Sequence, residues 1–139
     1  MRSAEAFDRL LEMVLSDNLG INFCHGRFVE MGIDVPSAIR RFARKKIFFA
    51  HFRNVKGSVH EERGFQEVFH DGPGGRVDMF EAMKAYNEVG FEGHMRPDHA
   101  PKMQGDRLFG EQSGYHVLGK VLAIGYMKGL AESVEKMYR

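Results

Sequence analysis

Apolar positions along this chain recur with two different periods, and the alternation of those periods lays out the fold. Residues 3–15 place Phe7, Leu10, Leu11, Val14 and Leu15 on one helical face with charges opposite. Ser3 stands where a helix cap is needed, and Asp17-Asn18-Leu19-Gly20 ends the segment. Ile21-Asn22-Phe23-Cys24 then reads as a short strand, followed by His25-Gly26. Asp34-Val35-Pro36-Ser37 starts a second helix, with proline in its first turn. Ala38, Ile39 and Phe42 form its inward face, and Arg44-Lys45-Lys46 a basic end that complements the helix dipole. Ile47-Phe48-Phe49-Ala50-His51-Phe52 is apolar nearly throughout, as a buried parallel strand requires, and delivers His51 and Arg53 at its C-terminal end.

The pattern is lost over residues 54–76, which hold His60, the charge run Glu61-Glu62-Arg63, His70-Asp71 and the turn Gly72-Pro73-Gly74-Gly75. A loop of that length inside a compact domain is usually functional or disordered. Residues 77–89 return to a helical period with Met79, Phe80, Met83, Tyr86 and Val89 inward, and Gly90 stops them. A strand over residues 93–96 follows, then an irregular stretch to Ser113. Residues 115–138 predict a long final helix, apolar on more than one face, in which Gly119, Gly125 and Gly129 suggest close packing against another element. Strands alternating with helices predict an α/β fold with right-handed βαβ units and a parallel sheet.

Composition narrows the class. A chain of 139 residues has room for one domain and a modest core. Twenty basic against 19 acidic residues argue against nucleic-acid or membrane-surface binding through bulk charge. The single cysteine excludes an internal disulfide and fits a reducing compartment. Arg2, Glu5, Asp8 and Arg9 interrupt any N-terminal signal core, and no apolar run approaches the roughly 20 residues of a membrane span. The expectation is a soluble, cytoplasmic protein.

Candidate chemistry concentrates where the predicted strands end. Arg96-Pro97-Asp98-His99 sets a cation, a carboxylate and an imidazole within four residues, and Pro97 and Pro101 bar both sheet and helix from continuing through them. Cys24-His25, His51-Arg53 and Asp98-His99 all fall at or just past strand C-termini, which a parallel sheet brings to one edge. Thiol, imidazole and carboxylate together suit a divalent ion of intermediate softness such as Mn, Fe or Zn. Each residue also has a plainer use: Cys24 as a core filler, His51 as a satisfied buried histidine, Asp98 as a cap. His60 and His94 read as surface or strand-edge residues. His70-Asp71 reads as a covering loop or simply a turn, and Tyr115 as a phenol aimed at the strand edge or a core tyrosine. The glycine cluster at residues 72–75 is no phosphate cradle, since no Lys-Ser/Thr follows it.

Seven blocks carry a family resemblance: Phe23-Cys24-His25-Gly26; Glu30-Met31-Gly32; His51 to Gly57; Phe69-His70-Asp71; Asp78-Met79 with Ala82 to Tyr86; Arg96-Pro97-Asp98-His99; and Gly125 to Leu130. In that order, from about residue 20 to the end, the chain resembles the C-terminal part of mannonate dehydratase. The resemblance implies a (β/α)8 TIM barrel of the xylose-isomerase-like kind, of which residues 1–139 would be a single partial domain holding the last three strands and four helices. It implies a hydro-lyase that converts D-mannonate to 2-dehydro-3-deoxy-D-gluconate and water in hexuronate (glucuronate) breakdown, with Mn2+ or Fe2+ as cofactor. By motif, the metal ligands fall on Cys24, His51 and Asp98, and a further family histidine ligand comes from an earlier strand. The catalytic acid/base residues fall on His99 and Tyr115, without deciding which is which, and the substrate contacts on Arg53, His70 and Arg96. Gly72 departs from the family pattern, where a second acidic residue is expected after His-Asp.

A barrel of this kind needs roughly 250 residues. Three strands therefore predict two unpaired sheet edges, a truncated product, and a need for the N-terminal part of the barrel or for copies of the chain to cover them. The isolated chain is expected to be inactive. The alternative is a non-catalytic α/β fragment that keeps the motifs but holds metal weakly or not at all, and a sugar isomerase on the same barrel is a third possibility.

Overall fold

The computed structural model describes residues 3–43, 46–58, 60–110 and 114–139. In chain order these form α1 (Ala4–Met13), β1 (Ile21–Cys24), α2 (His25–Glu30), α3 (Val35–Phe42), β2 (Ile47–His51), β3 (Asn54–Gly57), β4 (Phe65–Val68), α4 (Met79–Glu88), β5 (His94–Arg96), a 3-10 turn (Asp106–Phe109) and α5 (Val117–Met137). The helices begin where the sequence supplies caps. Ser3 Oγ accepts from the Ala6 amide at 3.3 Å, Asp34 from Ser37 at 3.0 Å, and Asp78 from Glu81 at 2.9 Å.

The three strands read from the sequence, β1, β2 and β5, make one parallel sheet in the order β1-β2-β5. Register fixes what each face carries. Phe23, Ala50 and Met95 align across the sheet, as do Cys24, His51 and Arg96 one residue further on. Successive side chains on a strand point to opposite faces, so the first trio belongs to the helix-covered core and the second to the other face. The core runs from Phe23 and Ala50 through Phe28, Ile39 and Phe42 to Ala82 and Tyr86. Phe28 stacks on Phe23 at 4.1 Å and on Phe7 at 5.0 Å, tying α1 and α2 to β1. Each fully buried phenylalanine contributes roughly 1.5–3 kcal/mol. On the opposite face Asn22, His94 and Arg96 are exposed, and Cys24, Phe49 and His51 only partly buried.

Several expectations are corrected. The periodless stretch at residues 54–76 is an antiparallel hairpin, β3 against β4, followed by a compact return. Its strands are four residues each and carry Lys56, Gln66 and Glu67, so they offer no clean apolar alternation to read. Buried Asn54 organises the return: its side chain donates to the carbonyls of His70 (3.1 Å) and Val77 (3.3 Å) and accepts from the Val77 amide (3.0 Å). A six-residue helix, α2, follows Cys24 directly, where none was expected.

Helix α1 stops at Met13, leaving Val14 and Leu15 exposed rather than inward. Of the expected basic end of α3, Arg44 and Lys45 lie outside the described residues. Lys46 instead reaches across to the carbonyls of Ser16 and Leu19 at 2.7 and 3.3 Å. In α5 only the stripe Gly119, Ala123, Met127 and Val134 is buried, while Val117, Val121, Leu122 and Ile124 are exposed. A Cβ on Gly119 would press on the Pro101 carbonyl and the Ala100 methyl, so close packing holds there. At Gly125 and Gly129 a Cβ would meet nothing within 4 Å, and the expectation fails. None of the described helices is long and apolar enough to cross a membrane.

Candidate metal centre

The C-terminal edge of the sheet brings three of the expected residues together. One ligand atom each from Cys24, His51 and Asp98 lies within 4.8 Å of the others. Cys24 closes β1 and His51 closes β2, one partnered with the other in the parallel register. Asp98 follows β5 by two residues and adopts φ 55°, the left-handed region that Asp tolerates better than most residues. That turn folds its carboxylate back over the edge, where Oδ2 is 3.2 Å from His51 Nδ1 and Oδ1 accepts from Arg96 at 2.7 Å. Burial lowers the His51 pKa from its ordinary value by more than the neighbouring Asp98 carboxylate raises it. The ring is therefore neutral at pH 7, with a nitrogen lone pair to give.

The donor set fits a divalent ion. A soft sulfur, an intermediate imidazole and a hard carboxylate, two of them capable of negative charge, match Mn, Fe or Zn better than Mg or Ca.

His99 and Tyr115 meet beside this cluster. The His99 Nε2 stands 3.6 Å from Asp98 Oδ2, and its ring packs against Tyr115 with centroids 4.7 Å apart. Burial also lowers the His99 pKa, against the opposing pull of Asp98. The loop between β5 and α5 makes this meeting possible. Ala100 pairs with Tyr115 as a parallel bridge, and the Ala100 amide donates to the Gly114 carbonyl at 3.1 Å. Buried Asp106 accepts from the amides of Met103 (2.6 Å) and Leu118 (2.8 Å), fastening the loop to the first turn of α5. Lys120 stands over the Tyr115 ring at 4.3 Å.

Two of the residues expected as substrate contacts, Arg53 and His70, are buried among protein groups. Arg53 is 4% exposed, and its guanidinium contacts Cys24, Glu30, Glu67 and Asp98. His70 is buried against Phe52, with Nε2 2.6 Å from the Phe52 carbonyl, and burial lowers its pKa. Both are buried at the exit of β2 and held by protein groups there. Arg96, half exposed at 50% and lying over Phe49, remains on the open face. His25, though adjacent to Cys24, points into the core and bonds the Tyr86 hydroxyl at 3.0 Å. Sequence reasoning assigned nothing to Glu30, Glu67, Asn54 or Asp106, whose deciding partners come from other elements, well outside the span of local pattern rules.

An α/β chain that gathers thiol, imidazole and carboxylate at one parallel-sheet edge, with a histidine–tyrosine pair alongside, is of the class suited to metal-assisted acid/base chemistry. Comparison with known proteins makes the class specific. The family model for D-mannonate dehydratase (UxuA) matches residues 1–139, and the chain belongs to that family. It is 36% identical over 135 residues to the mannonate dehydratase of Thermotoga maritima, covering 96% of this chain and 36% of that protein. With the mannonate dehydratase of Brachyspira hyodysenteriae it shares 40% identity over 136 residues, covering 94% of this chain and 36% of the relative. The crystal structure of mannonate dehydratase from Streptococcus suis serotype2 superposes with a TM-score of 0.87 at 30% identity, over 98% of this chain and 38% of that one. The chain thus spans little more than a third of the length of these relatives.

Proposed function

We propose that this chain carries the metal-binding and proton-transfer side of a mannonate dehydratase site. The sheet is read as the last three strands of a (β/α)8 barrel, whose remaining strands come from an N-terminal portion or from further copies of the chain. Cys24, His51 and Asp98 hold Mn2+ or Fe2+, and a further ligand comes from outside these three strands. The reaction takes D-mannonate to 2-dehydro-3-deoxy-D-gluconate and water, a step of hexuronate breakdown in the cytoplasm.

Dehydration requires that the C2–H bond break, that its electrons form a C2–C3 double bond, and that the C3–OH bond break with the oxygen leaving as water. The resulting enol then gains a proton at C3 and becomes the 2-keto acid. Negative charge builds beside the substrate carboxylate as the C2 proton leaves, and a bound divalent cation supplies the Lewis acidity that offsets it. Two proton-transfer groups are needed, one to take the C2 proton and one to protonate the departing hydroxyl. His99 and Tyr115 are in contact and stand beside the ligand cluster, so they divide these roles. Arg96, on the same open face, binds the anionic substrate.

The observation that carries this reading is the convergence of Cys24, His51 and Asp98 within 4.8 Å at the strand ends. Titration with Mn2+ tests it directly. Saturable binding is expected, weakened by more than about 100-fold in Cys24→Ala, since losing even an outer contact of a metal site typically costs 10–100-fold. Binding no better than background in the unmodified chain would favour the second reading, a non-catalytic member of the family.

A further inference from the structure

Arg53 is the most heavily engaged cation among the described residues. It sits two positions beyond His51 and is 4% exposed. Its Nε donates to Cys24 Sγ at 3.2 Å and lies 3.8 Å from Asp98 Oδ2. On its other side Nη1 pairs with Glu67 of β4, and Nη2 stands 3.5 Å from Glu30 of α2, itself 5% exposed. Four elements therefore meet at one guanidinium. Burial opposes its charge, and Cys24 first, then Glu67 and Glu30, outweigh that and raise its pKa. The fold also makes room for it: at Gly26, in the first turn of α2, a Cβ would run into the guanidinium. A buried charge costs several kcal/mol unless it is paired and hydrogen-bonded. Two carboxylates and a cleared helix position fix the guanidinium against the edge that carries Cys24 and Asp98.

We propose that Arg53 is a positioning residue for the metal centre, held by Glu30 and Glu67 so that its Nε–H hydrogen-bonds the Cys24 sulfur and orients the ligand edge. The inference rests on the metal-site reading above and gives Arg53 a role in place of substrate contact. A planar fork suits that role, because one edge serves the sulfur and Asp98 while the other is anchored, which a lysine ammonium cannot do. Outer partners of this kind set the orientation and electron density of metal ligands.

Cobalt(II) gives a readout independent of turnover. When bound to a thiolate it shows a near-ultraviolet sulfur-to-metal charge-transfer band, and an N–H bond to the sulfur lowers the energy of the donating electron pair. Losing that bond moves the band to longer wavelength. Two variants probe it by separate routes. Gly26→Ala keeps every side chain of the network but pushes the guanidinium off the sulfur, and its φ lies outside the left-handed region, so alanine is not strained there. Arg53→Met combined with Glu30→Gln and Glu67→Gln removes the cation together with both carboxylates, leaving no unpaired buried charge. Both are expected to keep the far-ultraviolet circular dichroism of the unmodified chain and to shift the band to longer wavelength. Arg53→Lys, with a donor but no fork, is expected between them and the unmodified chain. An unshifted band in the folded variants overturns the role of Arg53 while leaving the metal site standing. Absence of the band from the unmodified chain overturns the metal reading at Cys24 itself and removes this inference with it.

Discussion

Asp98→Asn is expected to abolish divalent-ion binding while leaving the chain folded, and Asp98→Ala to cost both binding and stability. The two differ because the proposed site gives Asp98 two separable jobs. Its charge serves the ligand cluster: Oδ2 is 3.2 Å from His51 Nδ1, 3.6 Å from His99 Nε2 and 3.8 Å from Arg53 Nε, and Oδ1 accepts from Arg96 at 2.7 Å. Its backbone stands at φ 55°, where asparagine is as comfortable as aspartate and alanine is not. Asparagine therefore keeps the turn and an acceptor for Arg96 but gives up the anionic ligand. Alanine loses the turn's favoured residue and every polar contact at once, leaving a buried cation short of a partner. Such losses typically cost about 3–5 kcal/mol, a large share of the 5–15 kcal/mol that holds an ordinary domain together. Calorimetric titration with Mn2+ reads the first effect, and urea unfolding in the presence of a chelator reads the second. An asparagine variant that binds Mn2+ as tightly as the unmodified chain would remove Asp98 from the ligand set.

The part of this site legible in the sequence was the part set by strand periodicity. Cys24 and His51 close short apolar runs, Asp98 stands two residues past a third strand at a proline, and parallel strands align their C-terminal ends, so their coincidence at one edge was readable from the pattern. The helical period likewise placed the core faces of α3 and α4. What the pattern did not carry was the support behind the edge. The role of Arg53 depends on Glu67, on a strand too short and polar to announce itself, and on Glu30, in a helix of six residues containing a glycine. An arginine after a strand looks like a substrate contact until its surroundings are known, because charge alone does not reveal burial. The burial of His70 against the Phe52 carbonyl was hidden for the same reason. Asp106 fastens the start of α5 from 12 positions away, while local capping rules look only three residues ahead. The exposed apolar residues of α5 explain another miss: an apolar helix face signals burial only where something lies against it, and Val121, Leu122 and Ile124 have no such cover here.

Acid is expected to destabilise the metal-free chain through His25, with the loss beginning near pH 6.5 and growing to pH 3. The His25 ring is fully buried, stacked on Tyr86 and tilted against Phe52, with Nε2 on the Tyr86 hydroxyl of α4. Arg53 from the end of β2 adds positive charge around it, and His70 from the return after β4 and His51 from the end of β2 add more as they protonate in acid. Burial first, and these cations second, push its pKa from 6.5 down to about 3. The folded-state pKa is the lower one, so between those values the unfolded chain binds a proton that the folded chain refuses. Stability is therefore fully present above pH 6.5 and falls with pH at about 1.4 kcal/mol per unit, reaching a loss on the order of 5 kcal/mol near pH 3. His51, His70 and His99 are shifted in the same direction and steepen the loss. Glu67 opposes it. Burial raises the pKa of that carboxyl to about 7 against the pull of Arg53, so its contribution is present at low pH and lost as pH rises through 7. Buried His25 and partly buried Glu67 together place the stability maximum in mildly acidic to neutral solution. His25→Phe isolates the histidine, because phenylalanine keeps the stacking and costs a pH-independent amount for the stranded Tyr86 hydroxyl, roughly 1–3 kcal/mol. Urea midpoints measured from pH 4 to pH 8 should show the variant losing about one proton's worth of slope below pH 6.5. Parallel curves for the two chains would mean that His25 keeps its ordinary pKa in the folded protein.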